Sequence, residues 1–223
     1  MWSWSSFFEF LVSRQYVSGA WTSIWLTSVC LIMGLALAIV LALMRMSNNR
    51  GLRWPSAFFT WLFRGVPLLV TLVIIYTGLP QFGIRLGPLA AGILGLTLNE
   101  AAYLSEIVRS GILSVPKGQY EAARALGMTP ARVMRVVVFP QASRIIVPPL
   151  GNAVNGLFKT TTLLSVVAVN ELLRNAQFAI QINYRVLEGL VAAAIYYLVL
   201  VSIWQVVQNY IENRLNQSYV TTS

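Results

Sequence analysis

No charged residue occurs between positions 19 and 44, and the side chains there are overwhelmingly apolar. A helix covers the hydrocarbon core of a bilayer, roughly 30 Å, with about twenty such residues, and inside lipid every backbone N–H and C=O must be paired within the chain. That one run fixes the class of fold: a chain that crosses a membrane as helices. Composition agrees, since only 10% of the residues are charged, where a soluble domain carries about a quarter.

Four more stretches have the length and character of spans, so the expected fold is all-α and polytopic with five transmembrane helices. The second covers residues 55–79 and is broken by Arg64 and Pro67; the third, 86–113, carries Glu100, Glu106 and Arg109 in its second half. The fourth covers 145–169 with Lys159 near its middle, a polar connection follows over 170–188, and the fifth is 189–211. Residues 1–18 form an aromatic, amphipathic segment containing Trp2, Trp4, Phe7, Phe8 and Phe10. It lacks the basic start and small-residue cleavage site of a signal peptide, so a helix at the membrane interface is expected. Residues 19–213 then make one transmembrane domain and 214–223 a short tail, with no internal repeat and no soluble module.

Charge sets the orientation. With the N-terminus outside, the inner loops hold Arg45, Arg50, Arg53, Arg109, Lys117, Arg124, Arg132, Arg135, Arg144 and Arg214, against Arg14, Arg85, Arg174 and Arg185 outside. Loops rich in Lys and Arg stay on the cytoplasmic side, so this bias places the C-terminus inside. The net charge of +9 is spread over loops rather than gathered in a basic patch interleaved with aromatics, which argues against nucleic acid and for topology signals and anionic lipid. The chain has no Asp and no His, the usual general base and commonest metal ligand, which disfavours a metalloenzyme or a triad hydrolase. Cys30 is the one cysteine and sits in the first apolar run, where it reads as packing.

The longest polar interruption is the loop at about 114–143. From Arg109 to Arg144 it holds six basic residues and one acid, Glu121. Its pattern predicts two short helices: Pro116 opens the first, Gly127 closes it in the left-handed conformation, Thr129 caps the second and Pro130 takes its first position. Adjacent alanines, Ala122 and Ala123, would let the first helix sit close in a groove on another surface.

Glu121-Ala122-Ala123, three residues, Gly127, nine residues, then Val137, Val138, Phe139 and Pro140 resembles the EAA signature of permease subunits of ABC importers, with Val137 and Phe139 where Ile and Leu are usual. The surrounding GQYEAARALGMT and PQASR look like the branch that imports polar amino acids, similar to the histidine, glutamine and glutamate systems. The likeness extends from about Gly19 to the C-terminus. It implies a type I ABC importer permease fold in a bacterial cytoplasmic membrane. Two permease subunits, homo- or heterodimeric, would join two ATPase subunits and a periplasmic or lipid-anchored solute-binding protein. It also implies that the helix with Gln119, Glu121, Ala122, Ala123 and Gly127 docks on the ATPase. The sequence has no GxxxxGK[ST] phosphate loop, so ATP and Mg would be bound by that partner and this chain would hold no cofactor of its own.

Charges at membrane depth come next, because each costs at least about 2.5 kcal/mol unless it faces protein or water. Lys159 is followed by Thr160, Thr161 and Thr162, donors suited to a solute carboxylate. Alternatively the threonines back-bond to their own helix while Lys159 pairs with a glutamate on a neighbouring span; Glu100, deep in the third span and without a local partner, would mate with Lys159 or with an amino group passing by. The stretch resembles the family's KDTSL segment on the solute path, with Thr160 in place of the acidic residue. Likewise RGVPLLVTL resembles RGTPLLVQL, Val66 and Thr71 replacing polar residues and weakening the case for direct contact there. Arg64 either neutralises a solute carboxylate or, the favoured reading, pairs with an acid. Asn99, Tyr103, Glu106 and Ser110 fall on one helical stripe, and Glu106 with Arg109 is read as a local ion pair. Asn99 and Glu100 thus join Arg64, Lys159, Thr160, Thr161 and Thr162 as the expected substrate path.

The expected function is thus a non-enzymatic transport subunit for a polar amino acid. An ion-coupled secondary transporter using Glu100 and Lys159 would call for an inverted repeat. A non-transporting membrane adaptor would leave uptake untouched in Lys159→Ala.

Overall fold

The computed structural model describes residues 2–220, with the backbone alone for 216–220. Among them every regular element is helical. Ser3 caps the aromatic helix α1 (Trp4–Val12) and Ser13 caps α2 (Arg14–Met46), accepting from the Tyr16 N–H at 3.4 Å. At 33 residues, α2 is about 50 Å long, more than a bilayer core requires. Phe7 and Phe10 of α1 are buried against Tyr16 and Ala20 of α2, while Trp4, Phe8 and Val12 stay exposed.

The second apolar stretch is two helices. α3 (Arg50–Gly65) and the segment opened by α4 (Leu68–Val73) meet at 103° around Val66 and Pro67. A π-turn (Ile74–Gly78) and a 3-10 turn (Leu79–Phe82) lead from α4 to α5 (Pro88–Leu113), the most buried helix of the bundle. It lies against α2 at Gly34, where an added Cβ would come within 3.1 Å of the Glu100 Cβ; only a residue without a side chain lets the two backbones approach so closely.

α6 (Lys117–Ala125) and α7 (Pro130–Val133) are the two short helices expected of the basic loop. Gly127 has φ +73°, the Gly127 N–H donates to the Arg124 carbonyl at 2.9 Å and the Met128 N–H to that of Ala123 at 3.2 Å, a complete Schellman ending. Thr129 is extended ahead of Pro130, but its side chain makes no capping bond; its carbonyl alone accepts, from the Val133 N–H.

After a π-turn (Met134–Val138), α8 (Phe139–Thr160) tightens into a 3-10 stretch (Thr161–Val167). The connection over residues 170–188, expected to be polar, contains α9 (Leu172–Asn183), capped by the Glu171 carboxylate and buried along Leu172, Ala176 and Ala179. α10 (Val186–Val220) closes the bundle; of the tail expected over 214–223, residues 221–223 lie outside the described residues.

Three apolar layers stack along the bundle. One joins α1, α9 and the starts of α2 and α10; a central one holds Leu26, Cys30, Leu72, Leu96, Leu157 and Leu164; the third joins α6 and α7 to the ends of α2 and α5 and the start of α8. Three helical stretches are long and apolar enough to cross a membrane, or four if the bent pair is one span. The remaining helix of the expected five is α5, whose Thr97, Asn99, Glu100 and Ser105 are buried in the protein.

Candidate functional site

The bend between α3 and α4 opens a cavity of about 730 Å³ on the flank of the bundle, bounded by residues 64–68, by α5 at Asn99, Glu100 and Tyr103, and by α8 at Asn152, Gly156 and Thr160. Proline creates the opening. A helix continuing through position 67 would bond that N–H to the carbonyl of Phe63, and Pro67 has no N–H to give. The Asn99 side-chain amide takes its place, donating to the Phe63 carbonyl at 3.0 Å. The freed group is satisfied and the bend is fixed to α5.

Of the residues expected on a solute path, Arg64, Asn99, Glu100 and Thr160 line this cavity, and Lys159, Thr161 and Thr162 do not. Glu100 is 9% exposed, lines the cavity, and makes neither hydrogen bond nor ion pair among the described residues. The pairing of Lys159 with Glu100 is absent: Lys159 is exposed on α8 and has no ion pair among the described residues. The expected pairing of Arg64 with an acid is absent too. Its guanidinium lies over the Tyr103 ring, 5.4 Å from the centroid, a cation–π contact, and it makes no ion pair among the described residues.

The three threonines back-bond: Thr160 to the Gly156 carbonyl at 2.9 Å, Thr161 to Phe158 at 2.7 Å and Thr162 to Lys159 at 2.6 Å. The segment from Arg64 to Leu68, discounted for solute contact because of Val66, forms one wall. Glu106 and Arg109 do form a local ion pair, at 2.7 Å. Asn152 and Gly156 escaped the sequence reading although, with Thr160, they recur every four residues and so share one helix face.

The second surface of interest is α6. Gln119, Glu121, Ala122 and Gly127 are exposed, whereas Ala123 is buried against the bundle among Val108, Ile112 and Val133. The two alanines therefore divide the work: Ala123 seats the helix on its own chain and Ala122 faces outward. Leu126, not singled out by the sequence, is 82% exposed beside Gly127.

A family model described as the binding-protein-dependent transport system inner membrane component matches residues 34–217. The chain is 41% identical over 203 residues to the L-cystine transport system permease protein TcyB of Bacillus subtilis (strain 168), covering 89% of this chain and 86% of that one. It is 37% identical over 235 residues to the arginine transport system permease protein ArgU of Corynebacterium glutamicum, covering 98% and 74%. Among solved structures, an amino acid ABC transporter crystallised with histidines superposes with a TM-score of 0.90 at 34% identity over 96% of this chain and 99% of that one. The inward-facing MetNI methionine ABC transporter, at 24% identity and a TM-score of 0.73 over 90% and 96%, shares the fold.

Proposed function

The chain belongs to the family of inner membrane components of binding-protein-dependent transport systems, and from that premise we propose that it is the permease subunit of an ABC importer for a polar amino acid. The relatives named for cystine and arginine and the structural neighbour solved with histidines support an amino acid as solute. The observation that carries the reading is that Arg64 and Glu100 line one cavity with no ion-pair partner for either among the described residues. A cation and a carboxylate lining one cavity complement the two charges of an amino acid.

In this reading five helices span the membrane (α2, the bent α3–α4 pair, α5, α8 and α10), with the N-terminus outside and α6 in the cytoplasm. A second permease subunit closes the open side of the cavity, two ATPase subunits bind α6, and a solute-binding protein delivers the amino acid. Gln119, Glu121, Ala122 and Gly127 meet the ATPase, and Ala123 transmits its push because it is packed onto α5, α7 and α8. ATP and the loaded binding protein each favour one of two packings, so solute is exposed first outside and then inside by a population shift.

The test is uptake of a panel of labelled amino acids into vesicles holding the complete complex. Uptake that requires ATP, the binding protein and at least one polar amino acid is expected. Import unaffected by removing the ATPase overturns the reading.

A further inference from the structure

At the end of the bundle that carries α6, the turn from α2 to α3 gathers positive charge that no acid answers among the described residues. Arg45, on the last turn of α2, and Arg53, on the first turns of α3, line one cleft of about 150 Å³ with Trp54 and Ala57, and no carboxylate lines it. Neither arginine makes a hydrogen bond or ion pair among the described residues. The cleft shares Arg45 and Ala57 with a neighbouring one of about 410 Å³ whose other cation is Arg64 and whose only acid, Glu106, is already bonded to Arg109 at 2.7 Å.

The corner is built rather than frayed. The Ser56 hydroxyl donates to the Leu41 carbonyl at 2.7 Å, which ties α3 to α2, and the Asn49 side chain accepts from the Gly51 N–H at 2.8 Å, which caps the start of α3. On the outward face of α3, Trp54, Phe58 and Trp61 are each 60% exposed or more. They form an apolar and amphipathic rim of the kind that rests at the level of lipid headgroups.

We propose that this cleft is a binding site for the phosphate of an anionic phospholipid in the leaflet next to α6. The two guanidiniums take the phosphate oxygens, Arg matching that geometry through paired N–H donors, and the Trp54–Phe58–Trp61 face lies along the acyl chains. An uncompensated pair of arginines where a span leaves the hydrocarbon is stabilised by such a headgroup, which in return fixes the corner from which α3 runs to the bend at Pro67. The site does not depend on the transport reading, since it requires only that α2 and α3 are embedded.

Full-length protein purified in mild detergent is titrated with phosphatidylglycerol, and retained lipid is counted by native mass spectrometry. Replacing both residues, Arg45→Gln with Arg53→Gln, is expected to weaken retention of the tightest-bound phosphatidylglycerol by more than tenfold, at about fivefold per arginine. Arg45→Lys with Arg53→Lys keeps most of it, and Arg85→Gln, at the opposite end of the bundle, changes nothing. Should the glutamine pair fail to fold, the single Arg53→Gln, at an exposed position, decides by the same readout. Equal retention by wild type and the glutamine variants overturns the proposal, and so does equal retention of phosphatidylcholine. Inorganic phosphate displacing the lipid as effectively as phosphatidylglycerol itself overturns the lipid assignment in favour of a free anion.

Discussion

The side-chain amide of Asn99 donates to the backbone carbonyl of Phe63 at 3.0 Å, filling the place of the N–H that Pro67 lacks. A helix broken inside a membrane leaves a carbonyl that neither water nor its own segment pairs, and here the neighbouring span supplies the donor. The break thereby becomes a fixed wall of the cavity.

Asn99→Leu removes the donor and keeps the bulk. Leaving the Phe63 carbonyl unpaired is expected to cost about 1–3 kcal/mol, read as a Tm lowered by several degrees in a thermal melt of the purified protein followed by tryptophan fluorescence. Pro67→Ala restores an N–H at position 67, so the loss on Asn99→Leu should be smaller in that background. A double-mutant cycle with no coupling between the two positions contradicts the account.

Gly127 closes α6 at φ +73°, with open space where a side chain would project. Substitution there is penalised by the backbone alone, about 1–2 kcal/mol for most residues and less for Asn or Asp. Gly127→Asp is therefore expected to insert and fold, yet to lose uptake and release the ATPase from membranes, because it puts an anion on the face proposed to dock. Sedimentation of the ATPase with membranes checks this; normal uptake in the variant removes the docking role.

What the sequence disclosed and what it hid divide along one line. Pro116, Gly127 and Pro130 mark α6 and α7 because they act on their own backbone, and Pro67 marks the bend for the same reason. The Asn99–Phe63 bond lies 36 positions apart in the chain, beyond any local signal. Lys159 and Glu100 are both charges at depth, and only the packing of α8 against α5 decides that they do not meet. Asn175, Gln177, Gln181 and Asn183 give the α9 segment the composition of a polar connection, while Leu172, Ala176 and Ala179 recur at helical spacing on its inner face.

Glu171 accepts from the N–H groups of Leu173 and Arg174 and from the Tyr197 hydroxyl, each at 2.8 Å, and its side chain is wholly buried. Burial raises its pKa above the ordinary 4.5, and the three donors with Arg174 pull it back only in part. A carboxyl that holds its proton better folded than unfolded contributes stability fully below its unfolded pKa and loses it as pH rises through the folded one. Tm should therefore decline as pH rises from just above 4.5, and Glu171→Gln should flatten that slope. Glu171→Ala strands all three donors and is expected to cost about 3 kcal/mol or more, against about 1 kcal/mol for Tyr197→Phe.

In the proposed reading, Arg64 and Glu100 take two roles within the cavity. Among the described residues Arg64 stacks on Tyr103 and makes no ion pair, whereas Glu100 is nearly enclosed and has no protein donor. Arg64 thus suits the carboxylate common to every amino acid, and Glu100 the ammonium or a cationic side chain. Glu100→Gln keeps the shape and removes the charge, so it should lower uptake of cationic amino acids more than that of neutral ones. Arg64→Gln should lower both alike, by about tenfold or more, since a charge-assisted bond contributes about 1.5–3 kcal/mol. Initial rates in vesicles containing the whole complex, compared for a cationic and a neutral solute, distinguish the two patterns. If both variants reduce both solutes equally, the charges shape the cavity without reading the solute, and selectivity resides in the binding protein.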